Sequence, residues 1–166
     1  MSLKLHNIDP VYSSDSKILI LGSFPSVKSR ESQFFYAHPQ NRFWKVLTAL
    51  YAPDGGVELD TVDKKREFLL MNKIAVWDVI QSCEITGSSD SSIKNVKVND
   101  LKRILSAANI KAIFSNGATS YNLYMKYCAD KLGRPSLKLP STSPANAAYS
   151  LERLIEAWSA IKDYCQ

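Results

Sequence analysis

The sequence predicts an α/β protein, a three-layer α/β/α sandwich around a central four-stranded parallel sheet, formed by residues 1–166 as one domain. Two observations carry that expectation. Apolar runs of strand length alternate along the chain with segments whose apolar residues recur at helical spacing. Ile18-Leu19-Ile20-Leu21 is moreover apolar without alternation and stops at Gly22 and Pro25, as expected of a strand buried on both faces that delivers the chain into a loop.

The first strand is Lys17–Leu21. A helix follows from Asn41 to Tyr51, with Phe43, Trp44, Val46, Leu47 and Leu50 on one stripe and Asn41 suited to its N-cap. Pro53-Asp54-Gly55-Gly56 breaks the chain before a second helix, Thr61–Met71, and a second strand covers Lys73–Ile80. The polar stretch Gly87-Ser88-Ser89-Asp90-Ser91-Ser92 reads as a surface or functional loop. Asn99 suits the cap of a helix holding Leu101, Ile104, Leu105 and Ala108. The third strand, Lys111–Ser115, closes at Asn116-Gly117. A helix over 118–129, a short strand over 136–139, a proline-flanked loop and a terminal helix over 151–164 complete the order β-α-α-β-α-β-α-β-α. Such alternation implies right-handed crossovers, with ligand loops at the carboxyl ends of the strands.

The net charge is +5 and the pI about 9.1, which favours a polyanionic partner assembled onto a folded patch, since the Lys and Arg residues are spread along the chain. No apolar stretch reaches membrane-spanning length and Met1-Ser2-Leu3-Lys4 opens no signal peptide, so a cytoplasmic or nuclear protein without membrane contact is expected. Cys83, Cys128 and Cys165 are scattered without a C-x-x-C pair. They read as reduced packing thiols, and neither a metal site nor any other cofactor is expected.

Gly22-Ser23-Phe24-Pro25-Ser26 lacks the glycines and lysine of nucleotide-binding loops, and His6 and His38 offer no Ser or Cys triad; His6 reads as a surface residue. Tyr36-Ala37-His38-Pro39-Gln40-Asn41-Arg42-Phe43-Trp44 instead concentrates an aromatic, an imidazole, an amide and a guanidinium ahead of a helix. These two blocks, followed by Ser141-Thr142-Ser143-Pro144-Ala145-Asn146, resemble the ordered motifs of the uracil-DNA glycosylase superfamily. Phe24 stands where uracil-specific members place an Asn or Asp that handles water. Its presence, with the Trp77-Asp78-Val79-Ile80 strand end and the loop at 87–91, resembles the hypoxanthine-DNA glycosylase branch.

The resemblance implies a monofunctional DNA glycosylase of base excision repair that flips deoxyinosine out of DNA and hydrolyses its N-glycosidic bond. Uracil or mismatch excision, or silent binding of damaged DNA or a nucleobase, is the alternative. It implies Asn41 as the residue essential for activity, with helix capping as its bland role; the amide carbonyl would orient water while the NH2 donates to the base. Gly22, Ser23, Phe24, Pro25, Ser26, Tyr36, His38 and Asp78 would form the base pocket. Tyr36 would be the stacking platform, although Phe34, Phe35 and Tyr36 also suit a core. His38 suits a bond to loop backbone, and Pro25 and Pro39 would stiffen the walls. Asp78 and Asp90 either brace loops or lie near the base or water. Lys28, on a loop, would meet a phosphate, and Ser141, Thr142, Ser143, Pro144, Ala145 and Asn146 would press on the duplex with Ala145 as a small wedge. Double-stranded DNA, and single-stranded DNA with it, would be bound by a monomer at the nucleoid, or in the nucleus of a eukaryotic cell.

Overall fold

A computed structural model describes residues 3–165. Two sheets are present. The larger is parallel throughout, in the order β3-β2-β6-β7, built from β2 (Ile18–Gly22), β3 (Ile74–Asp78), β6 (Ala112–Asn116) and β7 (Leu137–Leu139). Every residue of β2 and β3 is buried, as an uninterrupted apolar run requires once helices flank the sheet. This is the predicted mixed α/β architecture with its four parallel strands.

The smaller sheet was not foreseen. It is antiparallel, in the order β1-β4-β5, from β1 (Leu3–Leu5), β4 (Ile80–Glu84) and β5 (Lys94–Val98). The expected strand 73–80 divides because the backbone turns at Val79, whose N–H donates to the Gly22 carbonyl at 2.9 Å. Asn99 stabilises that turn and is not a helix cap. It is buried, its Nδ2 donating to the Asp78 and Ile80 carbonyls (2.9 and 3.1 Å) and its backbone N–H to the Val79 carbonyl (2.8 Å).

Among the helices, α1 (Val27–Ser32) lies where a loop was expected and begins at Ser26, whose side chain accepts from Ser29 N–H. Next, α2 (Phe43–Tyr51) buries Phe43, Val46, Leu47 and Leu50 at i, i+3, i+4, i+7, while α3 (Val62–Met71) is capped by Thr61 as its sequence suggests. The helix predicted after Asn99 shortens to α4 (Lys102–Leu105), and that predicted over 118–129 divides at Cys128 into α5 (Ala118–Tyr127) and α6 (Ala129–Leu132). Finally α7 (Leu151–Trp158), capped by Ser150, runs on into a 3-10 turn over 159–164. Trp158 is fully buried and meets Phe43 edge to face at 5.9 Å, which docks α7 on α2. Cys83 and Cys128 are buried and all three cysteines are free thiols. No helix among the described residues is long and apolar enough to cross a membrane.

Candidate active site

The four parallel strands end at one edge of the sheet, where Gly22, Asp78 and Asn116 finish β2, β3 and β6. A cavity of about 380 Å³ opens there, lined by Gly22 to Ser26, Tyr36, His38, Asn41, Asp78, Asn116 and Ser141 to Ala145. The structure thus gathers most of the residues singled out in the sequence around one space. Lys28 is not among them: it lies on the exposed side of α1, not on a loop, 3.9 Å from Glu31. Pro25 is buried and lines the cavity, whereas Pro39 is exposed and does not border it.

The floor is made by Gly22 and Asp78, paired across β2 and β3. A Cβ on residue 22 would stand 2.3 Å from Asp78 Oδ1 and 3.1 Å from the Tyr36 hydroxyl, so only glycine lets the carboxylate lie over the strand. His6 is not a surface residue. Its side chain is buried and its Nε2 lies 2.8 Å from Asp78 Oδ2, a hydrogen-bond contact across 72 residues that β1 and its connection to the core make feasible.

Above the floor, Asn41 sits in a chain of amide and hydroxyl contacts. Asn116 Nδ2 donates to Thr142 Oγ1 (3.0 Å), Thr142 Oγ1 donates to Asn41 Oδ1 (2.8 Å), and Phe43 N–H donates to the same oxygen (3.0 Å). The position preceding α2 is Arg42, one residue later than expected, and it makes no side-chain cap; Asn41 takes the Phe43 N–H from one residue further out. Both lone pairs of Oδ1 therefore have protein donors, so the carbonyl is not the group that orients water. An amide flip would set the NH2 against the Phe43 backbone N–H, an obligatory donor, so the NH2 is the end left to the cavity.

Tyr36 adopts φ 51°, a left-handed conformation costly for a bulky residue. Its ring stacks on Phe43 at 3.9 Å and 20°, and its carbonyl accepts from Trp44 Nε1 at 3.2 Å, which together hold it there. One face of the proposed platform is thus already covered. Burial, and after it the charge of Asp78, raises the Tyr36 pKa, so the hydroxyl stays protonated. Phe34, Phe35, Phe43 and Trp44 belong to the core. Phe24 packs against a small separate cluster of Ile80, Cys83 and Ile85, beneath the Arg30 guanidinium at 5.3 Å. His38 Nδ1 accepts from Gln40 N–H at 3.1 Å. Asp90 borders the cavity opposite, with Ser23 Oγ 3.5 Å from its Oδ1; burial holds its carboxyl above the ordinary range, and the Thr119 and Ser23 hydroxyls draw it partway back.

The loop after β7 is held by a residue the sequence did not single out for function. Arg42 donates from Nη2 to the Ser143 and Asn146 carbonyls (3.1 and 3.0 Å) and from Nη1 to the Tyr149 carbonyl, while its backbone N–H donates to Thr142 (3.0 Å). Asn146 folds inward, its Nδ2 donating to the Ser141 carbonyl at 3.0 Å. Pro144 and Ala145 are left exposed at the tip, on the rim of the cavity. Gly117, at φ 94°, permits the close approach: a Cβ there would meet Ser141 Cβ at 3.0 Å.

Comparison with known proteins agrees with this geometry. The profile of the Uracil DNA glycosylase superfamily matches residues 10–162. A protein of Methanosarcina acetivorans named hypoxanthine DNA glycosylase is 31% identical over 154 residues, 91% of this chain and 93% of the relative. Another of that name from Methanosarcina barkeri is 32% identical over 119 residues, covering 71% and 74%. The solution structure of a candidate uracil DNA glycosylase from Methanosarcina acetivorans superimposes with a TM-score of 0.78 at 30% identity, over 99% of each chain. Matched along its length in both sequence and fold, the chain belongs to the uracil DNA glycosylase superfamily.

Proposed function

We propose that this DNA glycosylase excises hypoxanthine, flipping deoxyinosine from the duplex into the cavity and hydrolysing its N-glycosidic bond to leave an abasic site. The observation that carries the reading is the Asn41 amide, oriented by Phe43 and Thr142 so that a donor faces the cavity. The relatives named hypoxanthine DNA glycosylase support the same substrate.

A purine anion is a better leaving group than a sugar alkoxide, because its charge spreads over the rings. Cleavage then needs fixed donors and a positioned, desolvated sugar more than a pair of acid and base carboxylates. The Asn41 NH2 supplies such a donor to the departing base. Among the described residues no lysine lines the cavity to act as the amine nucleophile of a lyase step, which favours simple hydrolysis. Extruding the nucleotide costs a few kcal/mol. The exposed Pro144-Ala145 tip would press into the space it leaves, and Ser141 and Ser143 would meet the backbone. Such a substrate locates the protein with the chromosome, at the nucleoid or in a nucleus.

The test is alkaline cleavage of labelled duplexes that each carry inosine, uracil, xanthine or only normal bases, in the presence of EDTA. Hypoxanthine is expected to be released fastest. Faster release of uracil would overturn the substrate, and binding without release of any base would leave a silent binder of damaged DNA.

A further inference from the structure

Hydrolysis needs a group that takes a proton from water, and among the described residues four titratable side chains border the cavity: Tyr36, His38, Asp78 and Asp90. Three are unsuited to that work. Burial keeps the Tyr36 hydroxyl protonated. His38 Nδ1 accepts from Gln40 N–H, so in the neutral ring Nε2 carries the proton and offers only a donor. Asp78 lies buried on the floor with Oδ2 against His6 Nε2, whereas the sugar of an extruded nucleotide stays tied to the DNA backbone at the mouth. Asp90 is placed differently. The loop between β4 and β5 carries it, and its side chain is exposed on the cavity wall. Ser23 Oγ stands 3.5 Å from Oδ1, and the Thr119 hydroxyl, in the first turn of α5, donates to the same carboxylate. The loop itself is tied down. Val27 N–H donates to Ser88 Oγ (3.0 Å), Arg30 Nη2 to the Gly87 carbonyl (3.0 Å) and Ile93 N–H to the Asp90 carbonyl (3.2 Å). The carboxylate is therefore in place before a substrate arrives. Desolvation lifts its pKa above the ordinary carboxylate range against the pull of the two hydroxyls, which suits it to accept a proton near neutral pH.

We propose that Asp90 is the base of the reaction: its carboxylate holds the attacking water against C1′ of the extruded nucleotide and takes its proton. The proposal rests on the cavity being the pocket of a hydrolysing glycosylase. The glycosidic bond breaks with its electron pair leaving on the purine, whose charge meets the Asn41 NH2, and the water oxygen bonds to C1′. The proton that the water sheds goes to Asp90, which passes it to solvent, while the freed purine anion takes one up. The ionised carboxylate also faces the positive charge that grows on the sugar. Asn41 thus serves the leaving group and Asp90 the nucleophile.

The test is single-turnover release of hypoxanthine between about pH 5 and 8 by the wild type, Asp90→Asn and Asp90→Ala. Asparagine keeps an acceptor for Ser23 and Thr119 and loses the charge and the capacity to take a proton. Its rate at neutral pH is expected to fall at least about 100-fold, without the acidic limb along which the wild-type rate drops as Asp90 becomes protonated. Affinity for a duplex holding 2′-fluoro-deoxyinosine, whose fluorine slows hydrolysis by destabilising the oxocarbenium-like sugar, is expected to stay within about threefold of wild type. Formate, which fits the space vacated in Asp90→Ala, is expected to restore part of that variant's rate in proportion to its concentration. The other titratable and charged groups around Asp90 are Tyr36, His38 and Asp78 on the cavity, with His6 behind Asp78 and Arg30 of α1 holding the loop. An acidic limb retained by Asp90→Asn would belong to one of these and overturn the proposal. A rate within about threefold of wild type would do the same and leave Asp90 a brace of its loop, because asparagine keeps those hydrogen bonds. So would a loss of rate matched by an equal loss of affinity and indifferent to formate. A wild type that releases uracil in place of hypoxanthine overturns the substrate alone, since the same variants then test Asp90 on that base; one that releases no base overturns both.

Discussion

At the scale of single residues, Gly22 shows how one missing side chain shapes chemistry. A Cβ at that position meets a carboxylate oxygen at 2.3 Å, so Gly22→Ala must displace Asp78 from the floor or part β2 from β3. Single-turnover excision is expected to fall at least tenfold, with a stability loss of about 1–3 kcal/mol typical of overpacking. An alanine variant of normal rate would show that Asp78 is not where the base sits. The glycine, the amide of Asn41 and the loop hydroxyls were legible because each stands in a local motif. His6 was not. A lone histidine near the start of a chain carries no local signal of a carboxylate 72 residues away, and only the small antiparallel sheet brings them together. Nor does sequence show that Thr142 and Phe43 fill both lone pairs of Asn41 Oδ1, which leaves only the NH2 of the amide for a ligand.

At the scale of elements, the parallel strands were readable from uninterrupted apolar runs, and α2 and α7 from their helical stripes. The division of residues 73–80 was not, because Val79 and Ile80 continue the apolar run while Asn99, far along the chain, imposes the turn. The strand β5 was hidden by the lysines and asparagine of an exposed edge, and α1 by its shortness. Between elements, the decisive connection is Arg42, which joins the start of α2 to three carbonyls of the loop before α7. Arg42→Met keeps the apolar stem and removes the donors. The loss of charged hydrogen bonds to partly buried carbonyls is expected to cost about 2 kcal/mol, a fall of roughly 4–8 °C in Tm for a chain of this size. The loop over 141–149 should then become the first site of limited proteolysis. Excision from duplex should drop more than from single strands, because only a duplex requires a base to be expelled from its stack. Equal losses on both substrates would assign Arg42 to the pocket and not to the loop.

At the scale of the whole molecule, four stretches distant in sequence converge because a parallel sheet sends all its strand ends to one edge. The segment after β2 supplies Gly22 and, past α1, Tyr36 and Asn41; β3 supplies Asp78; β6 supplies Asn116; the segment after β7 supplies Thr142 and the rim. The basic surface expected from a net charge of +5 would bring DNA to that edge by counterion release without selecting a base. On the proposed reading, selection and cleavage then fall to the cavity, and within it to the Asn41 amide, whose oxygen is occupied by Phe43 and Thr142. The most direct measurement compares single-turnover release of hypoxanthine by the wild type, Asn41→Ala and Asn41→Asp. The aspartate retains an acceptor for Phe43 and Thr142, so it keeps the local fold while losing the donor. Both variants are expected to fall about 100- to 1000-fold in rate with DNA binding little changed. Release by Asn41→Ala within about threefold of wild type, a barrier change too small for the loss of one preorganised donor, would contradict the account.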